Sequence, residues 1–238
     1  MSPQREHALA APAGTPVELE LVLAVDASSS VDDGEFALQM QGIAAAFRHP
    51  GVQAAIHGTG EKGIAVVLIQ WSDHVLQQKT VNWTLVRDAV DAIALADDIA
   101  AAGRAIAGGG TAIYGVINFA LHEFDTNGYD GRRQTIDVSG DGRSDLLVPT
   151  TSARDRAVAH GVAINGLVIL GDEPYLERYY RENVIGGERA FVLAADGFEA
   201  FAGAIVVKLI REITASPALS TLPMPPRAIG MFRVRLDS

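Results

Sequence analysis

The residues best able to act together chemically are oxygen donors. Asp26, Ser28 and Ser30 form a D-x-S-x-S set at the end of the run LELVLAVDASSS, Leu19–Ser30. Thr111 follows the glycines Gly108–Gly110, and Asp141 sits in the turn Ser139-Gly140-Asp141-Gly142. Carboxylates and hydroxyls without nitrogen or sulfur suit a hard divalent cation: Mg²⁺, with Mn²⁺ or Ca²⁺ as alternatives. Two carboxylates roughly neutralise the ion, while hydroxyls fix its position without quenching it. Mg²⁺ demands near-octahedral oxygen, so its remaining positions go to water or to an incoming group. If Asp26 or Asp141 binds only through water, the ion stays electrophilic and welcomes an Asp or Glu side chain from another protein.

Such a site needs a scaffold that gathers distant loops. Leu19–Asp26 reads as a buried parallel strand, because its apolar run is bounded by polar turn residues. Asp32-Asp33-Gly34-Glu35 then predicts a capping box. The helix it opens carries Phe36, Met40, Ile43 and Phe47 inward and ends at His49-Pro50-Gly51. Ile64–Gln70 predicts a second buried strand, and Val75–Val81 a short antiparallel edge. Trp83, Val86, Val90 and Ile93 predict a helix, with a further helical piece over 97–107. Another helix carries Ile113, Ile117, Leu121 and Phe124 on one face. After the polar stretch 125–133, strand Gln134–Ser139, a helix over 149–160 and strand Val162–Leu170 follow. A helix near 175–184, a short strand over 190–193 and a last helix over 197–213 complete the pattern. Strands alternating with helices imply an α/β fold: a doubly wound, mostly parallel sheet with helices on both faces. On such a sheet every strand-to-helix loop lies at the carboxyl edge, which would bring Asp26, Ser28, Ser30, Thr111 and Asp141 together.

Residues 1–17 read as a flexible lead-in, 18–214 as one domain, and 215–238 as a Pro-rich tail or an added edge strand. The 238 residues allow one substantial core. A net charge of −10, with lysine only at Lys62, Lys79 and Lys208, argues against nucleic acid and anionic lipid as partners. The absence of cysteine excludes disulfides, thiolate catalysis and Cys-based zinc sites. No apolar run reaches membrane-span length, and the N-terminus lacks a charged-then-apolar leader. Ala8-Leu9-Ala10 and Ala11-Pro12-Ala13 nonetheless look like the small-residue end of a signal peptide.

The D-x-S-x-S loop, the G-G-G-T turn and the later D-G turn together resemble the von Willebrand factor A domain, over about 17–213. That family has a Rossmann-like fold and a metal-ion-dependent adhesion site built on these loops. IAVVLIQWSD is also similar to its second strand. More narrowly, VLAVDASSSVD, IDVSGDG, YYRENVIGG and KLIREI look like a bacterial subgroup, DUF1194. The resemblance implies direct ligation by Ser28, Ser30 and Thr111, and direct or water-mediated ligation by Asp26 and Asp141. It also implies a non-enzymatic, metal-dependent protein-binding module and favours a periplasmic or secreted location. The family usually closes with T-D-G, one residue shorter than the turn here. Asp141 fits the pattern by preceding a glycine, while Asp137 is the other candidate, set within the strand.

Each feature also has an ordinary structural explanation. Asp26 and its serines could cap a helix, and Thr111 could be the N-cap of the next one. Trp71-Ser72-Asp73-His74 tempts a catalytic reading, but a strand end with a packed tryptophan is the commoner case. Tyr179-Tyr180 reads as packing. Gly58–Gly63 fits G-x-G-x-x-G, yet it precedes a strand, which makes it a loop. Among alternative functions, a Mg²⁺-dependent phosphatase or phosphotransferase of haloacid-dehalogenase type expects D-x-D-x-T. Ser28 stands where that chemistry needs a second acid. No G-x-S-x-G elbow or Walker motif occurs. A structural domain whose tail makes the contacts is the remaining alternative.

Overall fold

The computed structural model describes residues 14–144, 150–171, 173 and 175–214. Its centre is β2 (Leu19–Asp26), all eight residues of which are buried. Successive side chains of a strand point to opposite faces. Leu19, Leu21, Leu23 and Val25 accordingly join one apolar layer, and Val22 and Ala24 the other. The sheet runs β4 (Gln77–Val86), β3 (Ile64–Trp71), β2, β6 (Gln134–Gly140), β7 (Val162–Ile169), β8 (Val192–Ala195). All neighbours are parallel except β4, which returns antiparallel to β3.

Helices cover both faces. α1 (Asp33–Arg48), α2 (Pro50–His57), α3 (Ala89–Ala101) and α7 (Phe201–Thr214) pack on one side. α4 (Ile113–Thr126), α5 (Thr150–Ala159) and α6 (Leu176–Tyr179), the last continued by a π-helical turn over Tyr180–Val184, pack on the other. The capping box forms as expected: Glu35 N donates to Asp32 Oδ1 and Asp32 N to Glu35 Oε2, each at 2.8 Å.

Several elements depart from expectation. Trp83 and Val86 belong to β4, not to a helix. The ten-residue strand pairs with β3 through irregular register, and helix α3 begins only after Asp88, whose carboxylate caps Val90 N and Asp91 N. The two helical pieces expected over 83–107 are one helix, Ala89–Ala101, followed by an irregular segment. Pro50 does not simply end α1. It starts α2, because a proline at the first helical position has no N–H to lose. Thr15–Val17 forms β1, paired in parallel with β5 (Tyr129–Gly131), where a lead-in and a polar loop were expected. Residues 1–13 and the tail 215–238 lie outside the described residues. Among the described residues, no helix is long and apolar enough to cross a membrane.

Candidate metal centre

β2 and β6 are adjacent parallel strands, with Val25 opposite Ser139. Their ends therefore deliver Asp26 and Asp141 side by side at the carboxyl edge. Asp26 is fully buried; its Oδ1 accepts Ser28 N at 2.8 Å, which tightens the turn. The Ser28 and Ser30 hydroxyls are 3.2 Å apart, and Ser30 Oγ donates to Asp141 Oδ1 at 2.8 Å. The third loop is tied in through Ser29. Its N donates to Gly109 O at 3.1 Å, and its Oγ accepts Gly109 N at 2.9 Å. Gly108 and Gly109 have positive φ, and a side chain at Gly109 would lie 2.7 Å from Ser72 Oγ. Only glycine suits that close, left-handed path. Thr111 then faces the Asp141 turn, since a Cβ on Gly142 would lie 3.4 Å from Thr111 Oγ1. All five expected residues thus converge.

The ordinary explanations fail for these residues. The cap of α1 is Asp32, not Asp26 or its serines. The N-cap of α4 is Ala112, with no side-chain hydrogen bond, so Thr111 caps nothing there. The additional residue in the Ser139–Gly142 turn also has a reason. β6 runs on through Gly140, and a side chain there would come within 2.7 Å of Asp26 Oδ2.

Asp137 lies elsewhere. It is buried in β6 with its Oδ1 2.6 Å from Lys208 Nζ, and Lys208 also reaches Glu212 Oε1 at 2.6 Å. Burial, with Glu212 alongside, pushes the Asp137 carboxyl up to about 7. It anchors α7 to the sheet. Trp71 is the fully buried strand end expected of it, and exposed His74 simply pairs with half-buried Asp73 at 2.5 Å.

Sequence reasoning missed the residue that holds the first loop. Arg104 Nη2 donates to the carbonyls of Ala27, Ser28 and Val31 at 3.1, 3.3 and 2.9 Å. Its Nη1 reaches Asp33 at 2.8 Å. Gln70 fixes the segment carrying it, bonding Gly103 O at 2.8 Å and Ala105 N at 2.7 Å. Neither residue has a spacing that announces this task.

The donor set fits a hard divalent cation. Asp26 Oδ2 is buried with no hydrogen-bond partner among the described residues. Burial pushes its carboxyl up to about 7 and the Asp141 charge adds to this, while hydrogen bonds from Ser28 and from the Asp141 backbone N–H pull the other way. A cation beside Oδ2 would compensate the charge that burial disfavours. Among the described residues no three His, Asp or Glu side chains cluster. The donors that distinguish this place are hydroxyls.

The mostly parallel sheet with helices on both faces is the fold of von Willebrand factor A domains of known structure. The chain belongs to the family described as protein of unknown function (DUF1194), which matches residues 16–217. No curated protein sequence matches it. Proximal thread matrix protein 1 (PTMP1) from the mussel byssus superposes with a TM-score of 0.62 at 14% identity, over 84% of this chain and 49% of that one. A form of PTMP1 "with zinc occupied MIDAS motif" gives 0.61 at 16% identity, over 84% and 49%. A von Willebrand factor type A protein from Catenulispora acidiphila gives 0.57 at 14%, over 83% and 43%, and the SpRpn10 VWA domain 0.56 at 13%, over 79% and 94%. The chain spans about half the length of the PTMP1 structures.

Proposed function

We propose that this domain is a non-enzymatic protein-binding module whose affinity depends on a divalent cation, Mg²⁺ first and Mn²⁺ or Ca²⁺ as substitutes. Ser28, Ser30 and Thr111 would hold the ion directly, with Asp26 and Asp141 acting directly or through water. The observation that carries this reading is the buried, unpartnered Oδ2 of Asp26 beside the hydrogen-bonded series Ser28–Ser30–Asp141. The zinc-occupied MIDAS motif of PTMP1 supports it by analogy of fold.

Where Asp26 or Asp141 binds only through water, the ion stays electrophilic, and a partner's Asp or Glu would complete its sphere. The cation inverts the local charge, which is how a chain of net charge −10 would take an acidic group. Ser28 stands where phosphoryl-transfer chemistry on this kind of strand end needs a second carboxylic acid. The second acid of a D-x-D-x-T arrangement is therefore missing two residues after Asp26.

Peptide-display selection on the full chain in Mg²⁺ tests the reading. Recovered peptides should carry Asp or Glu and should be released by chelator and by Asp141→Ala. Peptides without an acidic residue, or binding indifferent to chelator, would overturn it. So would Mg²⁺-dependent hydrolysis of a phosphate ester that survives Asp141→Ala.

A further inference from the structure

We propose that Tyr180 is a positioning residue of the cation site, its hydroxyl donating through one buried water to Asp26 Oδ2. The inference rests on the cation-site reading above. The Tyr180 side chain is completely buried, and its hydroxyl has no hydrogen-bond partner among the described residues. Asp26 Oδ2 shares both properties. The two orphaned groups are neighbours beside Gly140, because a Cβ there would lie 3.0 Å from the Tyr180 hydroxyl and 2.7 Å from Asp26 Oδ2. A buried donor and a buried anion left apart are each penalised, whereas one bridging water satisfies both.

The local fold delivers the hydroxyl there by unusual means. α6 widens into a π-helical turn at Tyr180, a conformation rare enough to mark functional positions. The ring lies against Gly166 on β7, where any side chain would come within 2.7 Å of Tyr180 Cδ1. Tyr179 packs edge-on against it at 6.2 Å and accepts a hydrogen bond from Ser144 N at 3.3 Å. The tyrosine pair thus walls the Asp141 turn from behind. Burial and the carboxylates of Asp26 and Asp141 hold the phenol well above its ordinary range, so it remains a neutral donor. A donor of this kind fixes a ligating carboxylate in one orientation, as outer partners of metal ligands do.

The test is Tyr180→Phe in the full chain, which keeps the ring and removes only the hydroxyl. Mg²⁺ affinity by calorimetry should fall about tenfold, with the thermal midpoint of the metal-free protein little changed. In the wild type with ¹³C-labelled tyrosine, the ring signal absent from Tyr180→Phe should move on adding Mg²⁺. A purely packing role predicts no such movement. Wild-type Mg²⁺ affinity in Tyr180→Phe, or a Tyr180 signal unmoved by Mg²⁺, would overturn the proposal while leaving the cation site standing. Failure of the wild type itself to bind any of Mg²⁺, Mn²⁺ or Ca²⁺ would overturn the cation-site reading, and this inference with it.

Discussion

Ser30 and Asp141 are 111 residues apart in the chain, yet the Ser30 hydroxyl donates to Asp141 Oδ1 at 2.8 Å. That bond joins the loops after β2 and β6 and aims two donors at one point. Asp141→Asn keeps an acceptor for Ser30 and removes the charge. Divalent-cation affinity should fall on the order of a hundredfold, because charge count among the oxygen ligands sets affinity. Calorimetry reads the affinity, and an unchanged circular-dichroism spectrum shows that the fold is intact.

Gly140 is where β6 passes closest to Asp26. Gly140→Ala inserts a methyl 2.7 Å from Asp26 Oδ2 and 3.0 Å from the Tyr180 hydroxyl. Overpacking of this kind costs about 1–3 kcal/mol. Denaturant titration should show that loss, and cation affinity should fall in parallel because Asp26 is displaced.

Arg104 holds the first loop by its carbonyls, not by its side-chain oxygens. Arg104→Gln removes the charged donor and should cost roughly 1.5–3 kcal/mol by the worth of charged hydrogen bonds. Cation affinity should drop although no ligand has changed, and raising the cation concentration should recover binding. Full affinity in the variant would show that the loop is rigid without it.

β2 and the D-x-S-x-S, G-G-G-T and S-G-D-G loops were legible, because buried strands and oxygen-donor turns leave patterns in short windows. Trp83–Val86 suits a helix as well as a strand by its aromatic and aliphatic spacing, and only pairing with β3 decides it. β1 and β5 were invisible, being three residues each and too short to show any period. Arg104 and Tyr180 were illegible as site residues for another reason. Arg104 bonds backbone carbonyls from a distant part of the chain, the role proposed for Tyr180 depends on a carboxylate equally distant, and no local spacing encodes either.

Lys208 sits between Asp137 and Glu212 in the core, 2.6 Å from each. Lys208→Met would leave two buried carboxylates without their cation, a loss of roughly 3–5 kcal/mol. The Asp137 carboxyl titrates near 7 in the folded chain against an ordinary 3.8. Its stabilising contribution is therefore complete below about 3.8 and lost as pH rises through about 7. The variant should accordingly be weaker at pH ~8 than at pH ~5. Glu212→Gln, which removes the neighbouring charge, should flatten that dependence. Chemical denaturation of all three proteins across pH decides the point.

Asp26, Ser28, Ser30, Thr111 and Asp141 are proposed to hold one divalent cation. Titrating Mg²⁺ and Mn²⁺ into the chelated full chain by calorimetry, beside Asp26→Asn and Ser28→Ala, tests it most directly. The wild type should show one saturable site, lost in both variants. No binding in the wild type, or binding that both variants retain unchanged, would contradict it.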